Sequence, residues 1–141
     1  MLHLNSLVAE PVAAEISRLI GGPAIAVLEY DQAAWGYTLF ESGELRDRFW
    51  SLPDAVETPP DECAGSVDAV ALAFGVPPES ITPYIRHVTE DDYETKAFDD
   101  DEFALGDHWV RVDFMRRLGI PYPSPGQVAG GRYVQIQEAR R

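Results

Sequence analysis

Residues 35–50 read WGYTLFESGELRDRFW and constrain the fold more than any other stretch of the chain. Two runs rich in aromatic residues flank Ser42-Gly43, a pair that suits the two-residue turn of a β-hairpin. If the two strands pair directly across this turn, the numbers of opposed residues add up to 85. The stretch therefore predicts a hairpin, and the turn decides which side chains share a face.

This pairing gives the hairpin two different faces, and a slip of one residue would exchange them. One face carries Phe40 with Leu45, Thr38 with Asp47 and Gly36 with Phe49; the other carries Leu39 with Arg46, Tyr37 with Arg48 and Trp35 with Trp50. The first face is more apolar, so we expect it to face the core and the second to be exposed or covered by a partner. Arginines beside aromatic rings are typical of recognition surfaces. The second face therefore predicts a set of partner-binding residues, namely Trp35, Tyr37, Arg46, Arg48 and Trp50.

Hydrophobic spacing and turn residues predict the remaining elements. Helices are expected at 7–20, 67–74, 81–88 and 107–119, and strands at 24–31 and 132–138. Ser66 and Gly75 suit the two ends of the second helix, and a Pro/Gly linker at 121–131 precedes the last strand. The order α-β-β-β-α-α-α-β predicts a single α+β domain over residues 1–141, with an antiparallel sheet and helices packed on one face.

The composition indicates a folded protein that needs neither metals nor disulfides. The chain has 141 residues, of which 45% are hydrophobic. Its single cysteine, Cys63, excludes an intrachain disulfide and favours a reducing compartment. The first residues lack the basic start of a signal peptide, and no apolar run approaches the roughly 18 residues that span a bilayer. We therefore expect a soluble cytoplasmic protein with no membrane partner.

The net charge of −13 is spread unevenly along the chain. Residues 54–110 hold 15 Asp and Glu against one Arg and one Lys, whereas residues 111–141 hold six Arg against one Asp and one Glu. The acidic region repels phosphate backbones, so nucleic acid is excluded as a partner of most of the surface. The charge suits solubility alone or contact with a basic protein. Attraction between the two regions would also allow a homo-oligomer.

The densest acidic stretch is FDDDEFALGDHW, residues 98–109, inside an acidic loop expected over residues 90–107. Clustered carboxylates are ligands for hard cations, but the EF-hand pattern fails because Ala104 stands where that loop needs glycine. Adjacent carboxylates repel one another, so we expect them to spread into water. A solvated loop, a contact with a basic protein and a metal site all remain open. The candidates for the protein contact are Asp99, Asp100, Asp101 and Glu102.

Other chemical motifs are weak. A metal-dependent hydrolase that uses acids of 90–107 with His87 or His108 is the alternative function. Residues 71–86, ALAFGVPPESITPYIR, have the spacing of a helix-turn-helix, but only Arg86 is basic, so they predict packing rather than DNA binding. No G-x-S-x-G elbow or phosphate-binding glycine loop is present. The sequence therefore favours a non-catalytic protein that needs no cofactor.

Two motifs resemble those of a group of small bacterial proteins to which no activity is assigned. The first is W-x-Y-x-L-F-x-x-G followed by D-x-F-x-S-x-P, which runs here from Trp35 to Pro53. The second is D-D-E-F…G-D-x-W, which runs from Asp100 to Trp109. The resemblance covers roughly residues 25–123 and implies that these stretches belong to one fold. In size and acidity the chain is also similar to immunity proteins that neutralise toxins, which implies a binding or regulatory role.

Overall fold

The computed structural model describes residues 2–3, 6–120 and 136–137, with side chains for residues 9–120. The elements follow the order β1 (Leu2–His3), α1 (Ser6–Ile20), β2 (Pro23–Tyr30), β3 (Ala34–Glu41), β4 (Glu44–Trp50), α2 (Val67–Phe74), α3 (Val110–Arg117) and β5 (Ile136–Gln137). Strands β2, β3 and β4 form an antiparallel sheet in that order. The predicted α+β class with an antiparallel sheet is confirmed. None of the described helices is long and apolar enough to cross a bilayer.

The predicted hairpin is present, and Ser42-Gly43 forms its turn. Both turn residues have positive φ angles, 51° and 88°, as a two-residue turn that matches strand twist requires. Next to the turn, Phe40 pairs with Leu45, and their residue numbers add up to 85 as predicted. A β-bulge then follows, because Arg46 is an extra residue between the pairs Phe40–Leu45 and Leu39–Asp47.

The bulge makes the predicted division of the hairpin faces wrong. Beyond it, Tyr37 pairs with Phe49 and Gly36 with Trp50, so each opposed pair adds up to 86. One inserted residue moves the later side chains of β4 to the opposite face relative to β3. The face of Trp35 and Tyr37, expected to be exposed or covered by a partner, is therefore a core face, and Phe49 rather than Arg48 lies across from Tyr37.

The sheet is covered on both faces, rather than on the one face expected. Helix α1 lies mainly over β2 and packs small residues against one face, in a cluster of Ala9, Ala13, Ala26, Leu28 and Phe40. The other face carries the larger cluster, in which α2, α3 and their connecting segments cover the aromatic residues of β3 and β4. Because both faces are occupied, β3 is buried from Ala34 to Phe40. The two clusters thus place α1 and the acidic segment on opposite sides of the sheet.

The helix expected at 81–88 is not present. Ile81, Tyr84 and Ile85 are buried, as their apolar spacing indicated, but the backbone there consists of turns. Pro83 explains part of this difference, because its ring disfavours the helical conformation of the preceding residue, Thr82. By contrast α2 ends as predicted: the Ser66 side chain accepts from Ala69 N at 3.2 Å, and Gly75 is left-handed.

The last helix and the last strand differ from the sequence prediction. Helix α3 begins at Val110 rather than at residue 107, and the Asp107 side chain instead accepts a hydrogen bond from Trp109 N at 2.9 Å. The last strand was expected to join the sheet, but its described part, β5, pairs in parallel with β1. The linker at 121–131 and the rest of the strand expected at 132–138 lie outside the described residues.

Candidate partner-binding surface

The acidic segment 90–107 folds back on itself and does not extend as an open loop. Leu105 N donates to Thr95 O at 2.8 Å, and Gly106 N donates to Asp92 O at 3.1 Å. A Cβ atom at Gly106 would lie 2.5 Å from Tyr93 Cα. The backbone at residue 106 can therefore approach Tyr93 this closely only because residue 106 is glycine. The segment therefore has a defined shape.

Asp101, at the centre of the segment, points inward. Its side chain has no exposed surface and accepts hydrogen bonds from Tyr84 Oη at 2.6 Å, Arg117 Nη2 at 2.7 Å and Arg116 Nη2 at 3.3 Å. The expectation that all four adjacent acids spread into water is wrong for this residue. Two guanidinium groups from α3 supply the compensating charge that a buried carboxylate requires.

Two further carboxylates complete the cluster around Asp101. Asp113 is fully buried, accepts from the backbone N of Glu102 at 3.1 Å and pairs with Arg116 at 2.9 Å. Asp100 is exposed but pairs with Arg117 at 2.8 Å. We call this set the Asp–Arg cluster; its members are Tyr84, Asp100, Asp101, Asp113, Arg116 and Arg117. The cluster fixes the acidic segment to α3 through charge-assisted hydrogen bonds.

The pKa shifts in the Asp–Arg cluster agree with this geometry. Burial raises the pKa of the Tyr84 hydroxyl, and its hydrogen bond to Asp101 raises it further, so Tyr84 remains a neutral donor. The hydrogen bond from Arg117 lowers the pKa of the Asp100 carboxyl. Hydrogen bonds to Asp100, Tyr84 and Asp101 in turn raise the pKa of Arg117. The Asp100–Arg117 ion pair therefore persists over the physiological pH range.

Asp92 fixes the beginning of the segment in a similar way. It is buried, it accepts from Thr89 N at 2.8 Å, and it pairs with Arg86. Burial alone would raise the pKa of Asp92, but the hydrogen bonds from Thr89 and Arg86 outweigh burial and lower it. Asp92 thus caps the short helix Glu90–Asp92 and does not contribute to the outer surface.

The remaining carboxylates of the segment point into solvent. The exposed ones without an ion pair among the described residues are Glu90, Asp91, Glu94, Asp99 and Glu102, which we call the acidic surface; Asp107 also has no ion pair but is half-buried. Among residues 9–120, in contrast, six arginines form ion pairs with acids of the same chain, two of them only at 3.8–3.9 Å: Arg18, Arg46, Arg48, Arg86, Arg116 and Arg117. The acidic segment therefore presents a strongly negative charge to solvent.

Aromatic side chains accompany the acidic surface. Tyr93 lies within the acidic segment and is 54% exposed, and Trp109, just beyond it, is 39% exposed. The Trp109 ring lies 6.3 Å from that of Phe103, and the Arg111 guanidinium lies 4.4 Å from the Trp109 centroid. The sequence analysis did not select these residues as candidate sites, although the carboxylates on both sides of Tyr93 were a usable signal that it stays in solvent.

The hairpin residues selected from the sequence are separated by the structure. Trp35 and Tyr37 are buried in the core, where Tyr37 Oη donates to Asp47 at 2.6 Å; burial raises the pKa of Tyr37. Trp50 is half-buried on the α1 side of the sheet. Arg46 and Arg48 are exposed and have weak ion pairs at 3.9 and 3.8 Å. Trp35 and Tyr37 are thus not accessible anchors, and a binding role for the two arginines stays a prediction.

Asp47 shows why Tyr37 belongs to the core. Its carboxylate accepts from Tyr37 Oη and, at 2.8 Å, from Ser66 N. Ser66 is also the residue that caps α2. Asp47 therefore joins the hairpin to the beginning of α2, which is a structural role.

His87 and His108 do not lie within a set of metal ligands. His87 Nε2 lies 3.2 Å from the Cys63 carbonyl oxygen, and His108 Nδ1 lies 2.9 Å from Arg111 Nη1. Across residues 9–120, no group of three or more His, Cys, Asp or Glu side chains is placed to hold a metal ion. Cys63 is buried, and burial raises its thiol pKa, which lowers the fraction of reactive thiolate.

Comparisons with other proteins give no further information about the acidic surface. No protein-family model, no curated protein and no solved structure matches this chain. A proposal about function therefore depends on the geometry of the chain's own residues.

Proposed function

We propose that this protein is a non-catalytic binding module whose acidic surface binds a basic protein. Neutralisation of a basic toxin, as immunity proteins perform it, is one concrete version of this role. The observation that carries the proposal is the division of charge within residues 9–120: six arginines form ion pairs with acids of the same chain, whereas five carboxylates of the 90–107 segment are exposed and have none. Such a surface favours a cationic partner and disfavours nucleic acid.

The support beneath the acidic surface strengthens the proposal. Asp101 and Asp92 fix the centre and the beginning of the segment to α3 and to Arg86. A segment that is already ordered loses less conformational entropy when a partner binds. The Asp–Arg cluster therefore preorganises the exposed carboxylates, instead of contributing to the contact itself.

The net charge of −13 adds a long-range contribution. Complementary charge raises association rates by about 10- to 1,000-fold at low ionic strength, and added salt removes this gain. We therefore expect the acidic surface to act mainly on the rate at which the partner associates. Exposed aromatic residues such as Tyr93 and Trp109 would supply apolar contact once the complex forms.

Two matched variants test the proposal. The first, Glu94→Gln/Asp99→Asn/Glu102→Gln, neutralises three exposed acids of the acidic surface. The control, Asp31→Asn/Glu41→Gln/Glu44→Gln, changes the net charge by the same amount, but its three residues lie at or next to the turns that connect β2, β3 and β4. Both variants and the unchanged chain are immobilised, and proteins captured from a lysate of the source cells are compared by quantitative mass spectrometry.

A basic protein that the unchanged chain and the control capture, and that the first variant captures poorly, supports the proposal. Its association rate with the first variant should then be roughly tenfold lower at low salt and nearly normal at high salt. Equal capture by both variants, or capture that does not favour basic proteins, would contradict binding through the acidic surface.

A further inference from the structure

His108 directly follows the acidic segment and lies between two side chains of opposite charge. Its Nδ1 atom is 2.9 Å from Arg111 Nη1, in the first turn of α3, and 3.8 Å from Glu29 Oε1, on β2. The imidazole is only 15% exposed and is therefore largely shielded from water. Asp107, the residue before it, is directed to Trp109 N instead. In the described part of the chain, Arg111 and Glu29 are thus the charged groups that face the His108 ring nitrogens.

The contact with Arg111 defines the protonation state of His108. A guanidinium only donates hydrogen bonds, so Nδ1 must accept, and the ring proton must be on Nε2, as in one neutral form of histidine. The same Arg111 Nη1 atom donates to the His108 carbonyl oxygen at 2.8 Å, which keeps the guanidinium beside the ring. The observed geometry is therefore that of a neutral His108 attached to α3.

Glu29 suits the other protonation state of His108. At 3.8 Å, its carboxylate is about 1 Å too far from Nδ1 for a hydrogen bond. A protonated ring carries a hydrogen on Nδ1, which a guanidinium cannot accept and a carboxylate can. Glu29 is also held in position, because its Oε1 accepts from Gln32 N at 2.7 Å in the turn between β2 and β3. A proton on Nδ1 therefore exchanges a partner on α3 for a partner on β2.

We propose that His108 is a pH-sensitive switch at the end of the acidic segment, in which protonation of Nδ1 replaces its hydrogen bond with Arg111 by an ion pair with Glu29. Histidine is the side chain whose charge ordinarily changes between about pH 5 and pH 8, so the exchange takes place near neutral pH. No other part of the chain has to unfold, because both partners already lie beside the ring.

Trp109 lies next to this switch and reports on it. Its ring centroid is 5.4 Å from that of His108 and 4.4 Å from the Arg111 guanidinium. The exchange therefore alters the surroundings of one of the exposed aromatic residues beside the acidic surface. An effect of pH on partner binding rests on the proposed function, whereas the exchange itself needs no partner. The switch and the binding proposal can therefore fail separately.

Nuclear magnetic resonance of the isotope-labelled full chain, between about pH 8 and pH 5, measures the exchange on the protein alone. At the upper end of this range we expect the His108 ring proton on Nε2, which long-range proton–nitrogen spectra detect directly. On acidification, the Trp109 indole N–H signal, identified with Trp109→Phe, should move with the same midpoint as the His108 ring signals. Glu29→Gln should shift this midpoint to lower pH, because the protonated ring then lacks a carboxylate partner.

Two histidine variants separate the switch from general effects of acid. His108→Asn keeps an acceptor near the position of Nδ1 but cannot gain a charge in this range, so the movement of the Trp109 signal should be lost. His87→Gln is the matched control, because His87 contacts the Cys63 carbonyl oxygen at 3.2 Å, and here the movement should remain.

Three results would overturn the switch. The first is a neutral His108 with its proton on Nδ1, since Arg111 could not then donate to that atom. The second is a Trp109 signal that stays in place on acidification, or that moves equally in His108→Asn. The third is an unchanged midpoint in Glu29→Gln, which would mean that the protonated ring does not pair with Glu29.

Discussion

Replacing Asp101 by asparagine removes the charge at the centre of the Asp–Arg cluster and keeps the shape of the side chain. The carboxylate has no exposed surface and accepts three hydrogen bonds, one from Tyr84 and two from arginines. Both arginines donate to Oδ1 and Tyr84 donates to Oδ2, so the asparagine oxygen can still face the arginines. Its NH2 group would then face the Tyr84 hydroxyl, and the negative charge between the guanidinium groups is lost. The substitution therefore tests whether the acidic segment depends on its buried charge.

The expected loss follows from the partners that remain. Removing one member of a buried ion pair costs about 3–5 kcal/mol when the other charge is left alone. Here Arg116 keeps Asp113 at 2.9 Å and Arg117 keeps Asp100 at 2.8 Å, so neither guanidinium loses all compensation. We expect Asp101→Asn to lower the free energy of unfolding by about 2–3 kcal/mol. For 141 residues this corresponds to a fall in Tm of roughly 7–10 °C.

Urea unfolding followed by tryptophan fluorescence measures this difference, because Trp35 is buried in the core and reports on its loss. Asp99→Asn is the matched control, since it changes the same residue type two positions away at an exposed site. Its effect should stay within about 0.5 kcal/mol. A calorimetric melt of both variants provides a second and independent comparison.

A double-mutant cycle with Tyr84→Phe shows where the loss comes from. Because Tyr84 Oη donates to Asp101 at 2.6 Å, the two substitutions should couple by at least about 0.5 kcal/mol. If Asp101→Asn destabilises the protein no more than Asp99→Asn, the buried charge does not hold the segment. Additive effects of the two substitutions would refute the role given to Tyr84.

Three further substitutions test the fold. Gly36→Ala should destabilise the protein by about 3 kcal/mol in urea unfolding, because its Cβ would lie 2.7 Å from the Trp50 ring; an unchanged midpoint would contradict this close contact. Thr38→Val should raise Tm by a few degrees, because the buried Thr38 hydroxyl has no hydrogen-bond partner within the described part of the chain; a lower Tm would show that it has one. The pKa of Asp92 is lowered in the folded protein, so its stabilisation is present above the unfolded pKa of about 3.9 and is lost as the pH falls below it. Unfolding measured between about pH 5 and pH 2 should show less acid destabilisation in Asp92→Asn than in the unchanged chain, and parallel curves would count against this account.

The sequence predicted those elements whose signals are local. Ser42-Gly43 determined the hairpin turn, and Ser66 and Gly75 determined the ends of α2, because each acts through its own backbone geometry or through a residue three positions away. The helix expected at 81–88 failed for a reason that is also local. Its apolar spacing described burial correctly, but Pro83 disfavours a helical conformation of Thr82, which the pattern of apolar residues does not include.

The arrangement of the hairpin faces could not be predicted, because it depends on one inserted residue. Nothing in the hairpin sequence marks Arg46 as the bulge, although it reverses the sides of Phe49 and Trp50 relative to Tyr37. The pairing of Asp101 with Arg116 and Arg117 was hidden for a different reason. These residues are 15 and 16 positions apart in the chain, and only the packing of α3 brings them together.

Within the acidic segment, buried and exposed carboxylates have different roles. Asp101 is buried and stabilises the segment, whereas Asp99 and Glu102, on either side of the Asp100–Asp101 pair, are exposed. A scan that replaced all four acids together would unfold the segment, and the loss of binding that followed would not show which carboxylates contact a partner. Variants limited to the exposed acids keep the Asp–Arg cluster intact. A lower association rate in those variants, with an unchanged free energy of unfolding, would therefore assign binding to the acidic surface and stability to the cluster beneath it.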